Sequence, residues 1–200
     1  MIDTALILLK NELISYLDGK DSVNVIVDNI GFLESPGGVS LSDSIVITLV
    51  NIEEESSLKN QPAVRRPLSS NAVYRNPPVY LNLYVLFTCN YSGDNYRLAL
   101  RRLSFIIQFL QSKSSFSISS TIAATLADAS DPSISELKFT LELYTLTFEQ
   151  INHLWGSLGG RQVPFAMYKL RLVAITDNSI LREVPLIEEI DTTISRMPNN

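Results

Sequence analysis

NPPVYLNLYVLFTCNYSGDNYRLALRRLSFIIQFL, residues 76–110, decides the fold of this chain. Pro77 and Pro78 keep a helix from running into the next segment, because proline has no N–H and disfavours helical geometry in the residue before it. Residues 79–89 are then mostly β-branched, aromatic or aliphatic, broken only by Asn82 and Thr88. A run that is apolar on both parities predicts a strand covered on both faces, central in its sheet. Residues 91–94 (YSGD) are turn chemistry, with Asp94 or Asn95 placed to cap a helix. Tyr96, Ala99, Leu103, Ile106, Ile107 and Leu110 fall on one helical stripe, while Arg97, Arg101, Arg102 and Gln108 lie largely off it. Strand, turn and amphipathic helix form the heart of the core, and nothing in the unit has catalytic character.

Working outward, Ile2, Leu6, Leu9, Leu13 and Leu17 keep the helical period, with Gly19 as the residue that ends the helix. Residues 23–27 read as a short strand, 28–39 as a turn-rich loop, and 44–52 as a buried β-branched strand. That strand is expected to end in Glu53, Glu54 and Glu55, where the chain leaves the core. Residues 56–75 show no periodicity and contain Pro62, Pro67, Arg65 and Arg66. They read as an extended loop that orders against a partner, or as an insertion without a role.

Residues 112–120 read as a short edge strand around Phe116 and Ile118, and 128–132 as a loop. Leu137, Phe139, Leu141 and Leu143 alternate with polar neighbours, which predicts a strand with one wet face. Thr147 and Gln150 have capping-box spacing and open a short helix that turns Ile151, Leu154, Trp155 and Leu158 inward. Gly159 and Gly160 close it. Residues 168–176 read as a further half-exposed strand. The expected architecture is one α+β domain over 1–177, a mostly antiparallel central sheet with packed helices, followed by a short C-terminal tail over 178–200.

Two hundred residues can bury a full core without metals or disulfides. The single cysteine, Cys89, lies in the apolar strand, so no intrachain disulfide is expected, which fits a reducing compartment. A net charge of −5 argues against nucleic acid as the main partner. The opening MIDTALILLKNELISYL carries acids and a lysine at helical spacing and does not read as a secretory signal. No apolar run approaches the ~20 residues of a membrane span, so no membrane insertion is expected.

The search for chemistry is mostly negative. His153 is the only histidine, which makes a zinc site or a Ser-His-Asp site improbable. The glycines of NHLWGSLGGRQ (152–162) follow a helix instead of opening one and lack a phosphate-loop ending. The acids at 53–55 have no second acidic cluster with ligand spacing. No catalytic residue, metal or cofactor is expected. Arg97, Arg101 and Arg102 on their helical face are candidates to pair with the acids of a neighbour, a solvated face being the other reading.

The segments LVNIEEE (49–55), NPPVYLNLYVLF (76–87), YRLALRRLSFIIQFLQ (96–111), LWGSLGGR (154–161) and P-x-x-x-Y-K-L-R-L (164–172) resemble one family. It is the tail-terminator, or cap, family of extracellular phage-tail-like contractile injection systems of the antifeeding-prophage type. The resemblance implies a tail-terminator-like fold and a non-enzymatic assembly protein. Such a protein forms a homo-hexameric ring on the distal end of the inner tube, stops tube and sheath growth, and holds the last sheath ring. Its partners would be itself, the inner tube protein and the sheath protein. It would assemble in the cytoplasm and then become part of the particle. Candidate interface residues are Glu53, Glu54, Glu55, Arg65, Arg66, Arg97, Arg101 and Arg102; Trp155, Gly159 and Gly160 are read as structural. The alternatives are a neck or tube completion protein of the same particle, or a monomeric adaptor that binds a peptide by strand addition. A hydrolase using His153 is a third.

Overall fold

A computed structural model describes residues 1–32, 41–58, 64–65, 72–91, 95–118, 137–175 and 180–184. It divides into two compact units, Met1–Lys59 with Val79–Ile175, and Asn60–Pro78 with Thr176–Asn200.

The first unit opens with helix α1 (Ile2–Leu17), which ends where Gly19 takes a positive φ of 77°. Strands β1 (Asn24–Val27) and β2 (Ser44–Glu54) follow. The second unit contributes two short strands, β3 (Val64–Arg65) and β4 (Ala72–Arg75). The chain returns to the first unit with β5 (Val79–Asn90) and α2 (Tyr96–Ser112). Then come β6 (Ser115–Ser117), β7 (Lys138–Leu143), α3 (Phe148–Ser157) and β8 (Phe165–Ile175). A last strand, β9 (Ile180–Val184), belongs to the second unit.

The first unit's sheet has the order β1-β2-β5-β8-β7-β6, and only β1 and β2 pair in parallel. The α+β architecture with a mostly antiparallel sheet is therefore as the sequence predicts. β5 lies inside the sheet between β2 and β8, with alternate side chains going to opposite faces. Leu83, Val85, Phe87 and Cys89 join α1, α2, β6 and β7 in the larger core. Tyr84 and Leu86 join Ile30, Val46, Trp155, Val163 and Met167 in a smaller core under α3. Tyr16, Phe109, Phe116 and Phe139 run as a chain of ring contacts, 5.1, 5.9 and 5.5 Å apart, from α1 across α2 to the sheet edge.

Several expectations are corrected. The buried face of α2 is formed by Ala99, Arg102, Ile106, Phe109 and Leu110, while Tyr96 and Ile107 are exposed. The helix is rotated toward Phe109 because that ring has Tyr16 and Phe116 to pack on. Asn95 precedes α2 but makes no side-chain cap bond; Asp94 lies outside the described residues. Leu143 is 59 % exposed, unlike Leu137, Phe139 and Leu141, because it lies at the end of β7. Glu53 and Glu54 do not leave the sheet: they remain in β2, opposite Asn82 and Leu81.

The region 56–75 is not a loop throughout. It holds a short 3-10 turn at Ser56–Leu58 and the strands β3 and β4. In the second unit β4 pairs antiparallel with β3 and with β9, giving the three-stranded order β3-β4-β9. Pieces of two and four residues are too short to show a period, and β9 comes from the stretch read as tail. The readings of 128–132 and of Arg66 lie outside the described residues.

Candidate functional site

The polar chemistry gathers on the α3 face of the first unit's sheet, where β2, β5, β8 and β7 run beyond the smaller core. β2 carries an extra residue between Leu49 and Asn51, and β8 one opposite Leu81 and Leu83. Such bulges change which side chains share a face. Past them, Tyr84 Oη donates to Glu53 Oε2 at 2.6 Å, and Asn82 Nδ2 donates to Glu55 Oε2 at 2.9 Å. Ser57 donates to Glu55 Oε1 from its hydroxyl at 2.6 Å and from its backbone N–H at 3.3 Å. Arg171 lies 3.7 Å from Glu55 and 3.2 Å from Glu142, linking the two acids across the sheet.

These donors act on protonation. The Asn82 and Ser57 hydrogen bonds, followed by the Arg171 charge, hold the Glu55 carboxyl at about 2, well below its ordinary 4.5. Tyr84 is pushed up, first by burial and then by its bond to Glu53. Glu55 is thus an internal strut, its oxygens engaged by Asn82, Ser57 and Arg171 of the same chain.

Beside this network a groove of about 220 Å³ opens between the sheet and α3. Val50, Leu146, Leu154 and Met167 give it apolar walls, Tyr84 and Tyr144 meet edge to face at 5.0 Å, and Glu53 stands among the lining residues. The helix over it is fixed at its start by the expected capping box. The Thr147 N–H donates to Gln150 Oε1 at 2.9 Å, and the Gln150 N–H donates to Thr147 Oγ1 at 3.3 Å. Trp155 is buried at 4 % exposure against Phe165, with ring centroids 5.4 Å apart. Gly159 and Gly160 turn the chain with φ of 99° and 80°, conformations that side chains disfavour.

The remaining candidates separate. Arg97 and Arg101 are exposed on α2. Arg102 is not on that face: it is 7 % exposed and forms a two-pronged pair with Asp21, at 3.0 and 3.1 Å, with its guanidinium 4.5 Å from the Tyr91 ring. That correction follows from the rotation of α2. Arg65 is in β3 of the second unit. His153 is exposed on α3, and Cys89 is buried and free, its thiol pushed up to about 12 by desolvation. Among the described residues no three His, Cys, Asp or Glu side chains gather as a metal site, and no helix is long and apolar enough to cross a membrane. Sequence reading missed Tyr84, Asn82, Glu142 and Arg171. Asn82, a polar residue inside an apolar strand, was the one visible signal for the network.

The family described as the Pvc16 N-terminal domain matches residues 6–189. No curated protein matches. Among solved structures, the chain is similar to the sheath/tube terminator, in its extended state, of the extracellular contractile injection system PVC. The TM-score is 0.66 at 14 % identity, covering 99 % of this chain and 64 % of that one. It is also similar to the anti-feeding prophage cap, the AFP tube-terminating cap. There the TM-score is 0.62 at 16 % identity, covering 97 % of this chain and 61 % of that one. The chain therefore spans less than two thirds of the length of either structure.

Proposed function

The chain belongs to the Pvc16 N-terminal domain family, and from that premise we propose that it is a structural, non-catalytic terminator of a contractile injection particle. In this reading it forms a ring, of six identical subunits, on the distal end of the inner tube and sheath and stops their growth. The observation that carries the reading is the fit of almost the whole chain to a sheath/tube terminator fold, at a TM-score of 0.66 over 99 % of its length. The tube and sheath proteins are its partners; it assembles in the cytoplasm and stays with the particle.

The proposed contact residues are Glu53, Glu54, Arg97 and Arg101, with Arg65 and Arg66 on the second unit. Glu55 and Arg102 serve the fold of their own subunit, through Asn82, Ser57 and Arg171 in one case and Asp21 in the other.

The test is particle length. Particles assembled without this protein should carry open tube ends and a broad length distribution in electron micrographs, and adding the protein back should restore closed ends and uniform length. Uniform, closed particles in its absence would overturn the reading.

A further inference from the structure

The two faces of the first unit carry surfaces that fit one another. On α2, Tyr96, Leu100 and Ile107 are 56, 43 and 40 % exposed, and half-buried Leu103 completes the row. The spacing 96, 100, 103, 107 keeps one side of the helix, so these residues form a continuous apolar stripe about 17 Å long. Arg97 and Arg101 flank it, both exposed. Among the described residues neither has an ion-pair partner within 4 Å; Arg101 lies over the Phe105 ring at 5.5 Å and acts on Asp21 only at longer range, through its charge. A basic, apolar stripe is out of keeping with a chain of net charge −5.

The groove beside α3 is the counterpart. Its walls are apolar, its volume of about 220 Å³ suits one or two side chains and not a whole helix, and it carries Glu53. Tyr84 occupies one Glu53 oxygen, and a carboxylate has acceptor capacity for further donors.

We infer that the Tyr96/Leu100/Ile107 face of α2 docks on the Glu53–Tyr84–Tyr144 groove of a second copy of this chain. Leu100 enters the groove, and Arg97 and Arg101 reach Glu53. The stripe lies on the α1/α2 face of the sheet and the groove on the α3 face, so the contact is head to tail. Each copy then keeps one unused half at either side, and the contact propagates until it closes on itself, as a two-fold dimer contact would not. The inference deepens the terminator reading by naming the subunit contact, and rests on it for self-association as the working state.

The test is a charge exchange in the full chain. Arg97→Glu/Arg101→Glu makes one variant and Glu53→Lys the other, with circular dichroism and a thermal melt to check that each folds. Assembly is followed by mass photometry in solution and by electron microscopy on tube ends. Each variant alone should lose at least tenfold in self-association. An equal mixture should recover it, because the two variants alternate with opposite charges at every contact. Leu100→Ser should weaken assembly without any change of charge.

Variants that assemble like the wild type, or a mixture that fails to recover, would overturn the inference. If Glu53→Lys alone abolishes binding to tube ends while the arginine variant caps normally, the groove serves a basic segment of the tube or sheath. The inference then falls while the terminator reading stands. A wild-type chain that neither self-associates nor binds tubes removes both.

Discussion

The two faces of the first unit's sheet are made by the same strands and do different work. On one face, Leu83, Val85, Phe87 and Cys89 of β5 lie under two long helices, continuous with Phe116 and Phe139 at the sheet edge. On the other, Tyr84 and Leu86 lie under a ten-residue helix and the 3-10 turn Ile30–Phe32, and the cover stops short. Beyond it the face turns polar at Asn82, Glu53, Glu55 and Arg171 and opens into a groove. One parity of β5 is committed to stability, and the other gives up part of its burial to leave a surface.

The largest effect that tests this contrast is the loss of a ring from each face. Phe87 is fully buried in the larger core, so Phe87→Ala should cost about 5 kcal/mol, with little room for the surroundings to collapse. Trp155→Ala should cost about 3 kcal/mol, because a short helix can settle into part of the space and because the buried indole Nε1 has no hydrogen-bond partner to lose. Urea unfolding measures both, and equal costs would break the contrast.

Next in size is the charge pair within the helical face. Arg102→Met should cost about 3 kcal/mol, the lower end for breaking a buried pair, because the Asp21 side chain keeps 19 % exposure. The pair has a pH signature. Its bond to Arg102 holds the Asp21 carboxyl below the ordinary 3.8, so this stabilisation is present above that value and is lost as pH falls through the lower, folded one. Glu55 has the same sign on the other face: its contribution is present above 4.5 and is lost as pH falls toward about 2. Between pH 6 and 2.5 the gap in urea midpoint between wild type and Arg102→Met should therefore narrow, while both proteins keep the acid slope due to Glu55. A constant gap would mean that Asp21 does not respond to Arg102.

How much of this could be read from the sequence follows from the range of the forces involved. β5, α1 and the opening of α3 were legible, because an apolar run, a 3.6-residue period and a capping box are local signals. The buried face of α2 was displaced because Arg102 counts as polar until Asp21, 81 positions away, is known to meet it. The strands β3, β4 and β9 carry no local signal, since β3 and β4 are only two and four residues long and β4 finds its second partner, β9, more than a hundred residues later. At the candidate site the acids 53–55 were singled out together, yet only pairing across four strands separates Glu55, a strut, from Glu53 beside the groove. The groove itself needs a β-bulge at Val50 and the placement of α3, neither of which has a sequence period.

The smallest effect bears most directly on the groove. α3 is short, and helices of this length depend on their ends and their packing more than on propensity. Thr147→Ala removes the acceptor that Gln150 N–H uses and breaks one half of the capping box. The expected cost is about 1 kcal/mol, well below that of either ring. Because Gln150 and Leu154 line the groove, the same substitution should loosen that wall while leaving the helical face untouched. Hydrogen exchange by mass spectrometry would resolve the two faces: faster exchange confined to α3 keeps them distinct. Equal acceleration in α1 and α2 would mean that the two cores unfold as one, and that the groove is as rigid as the core behind it.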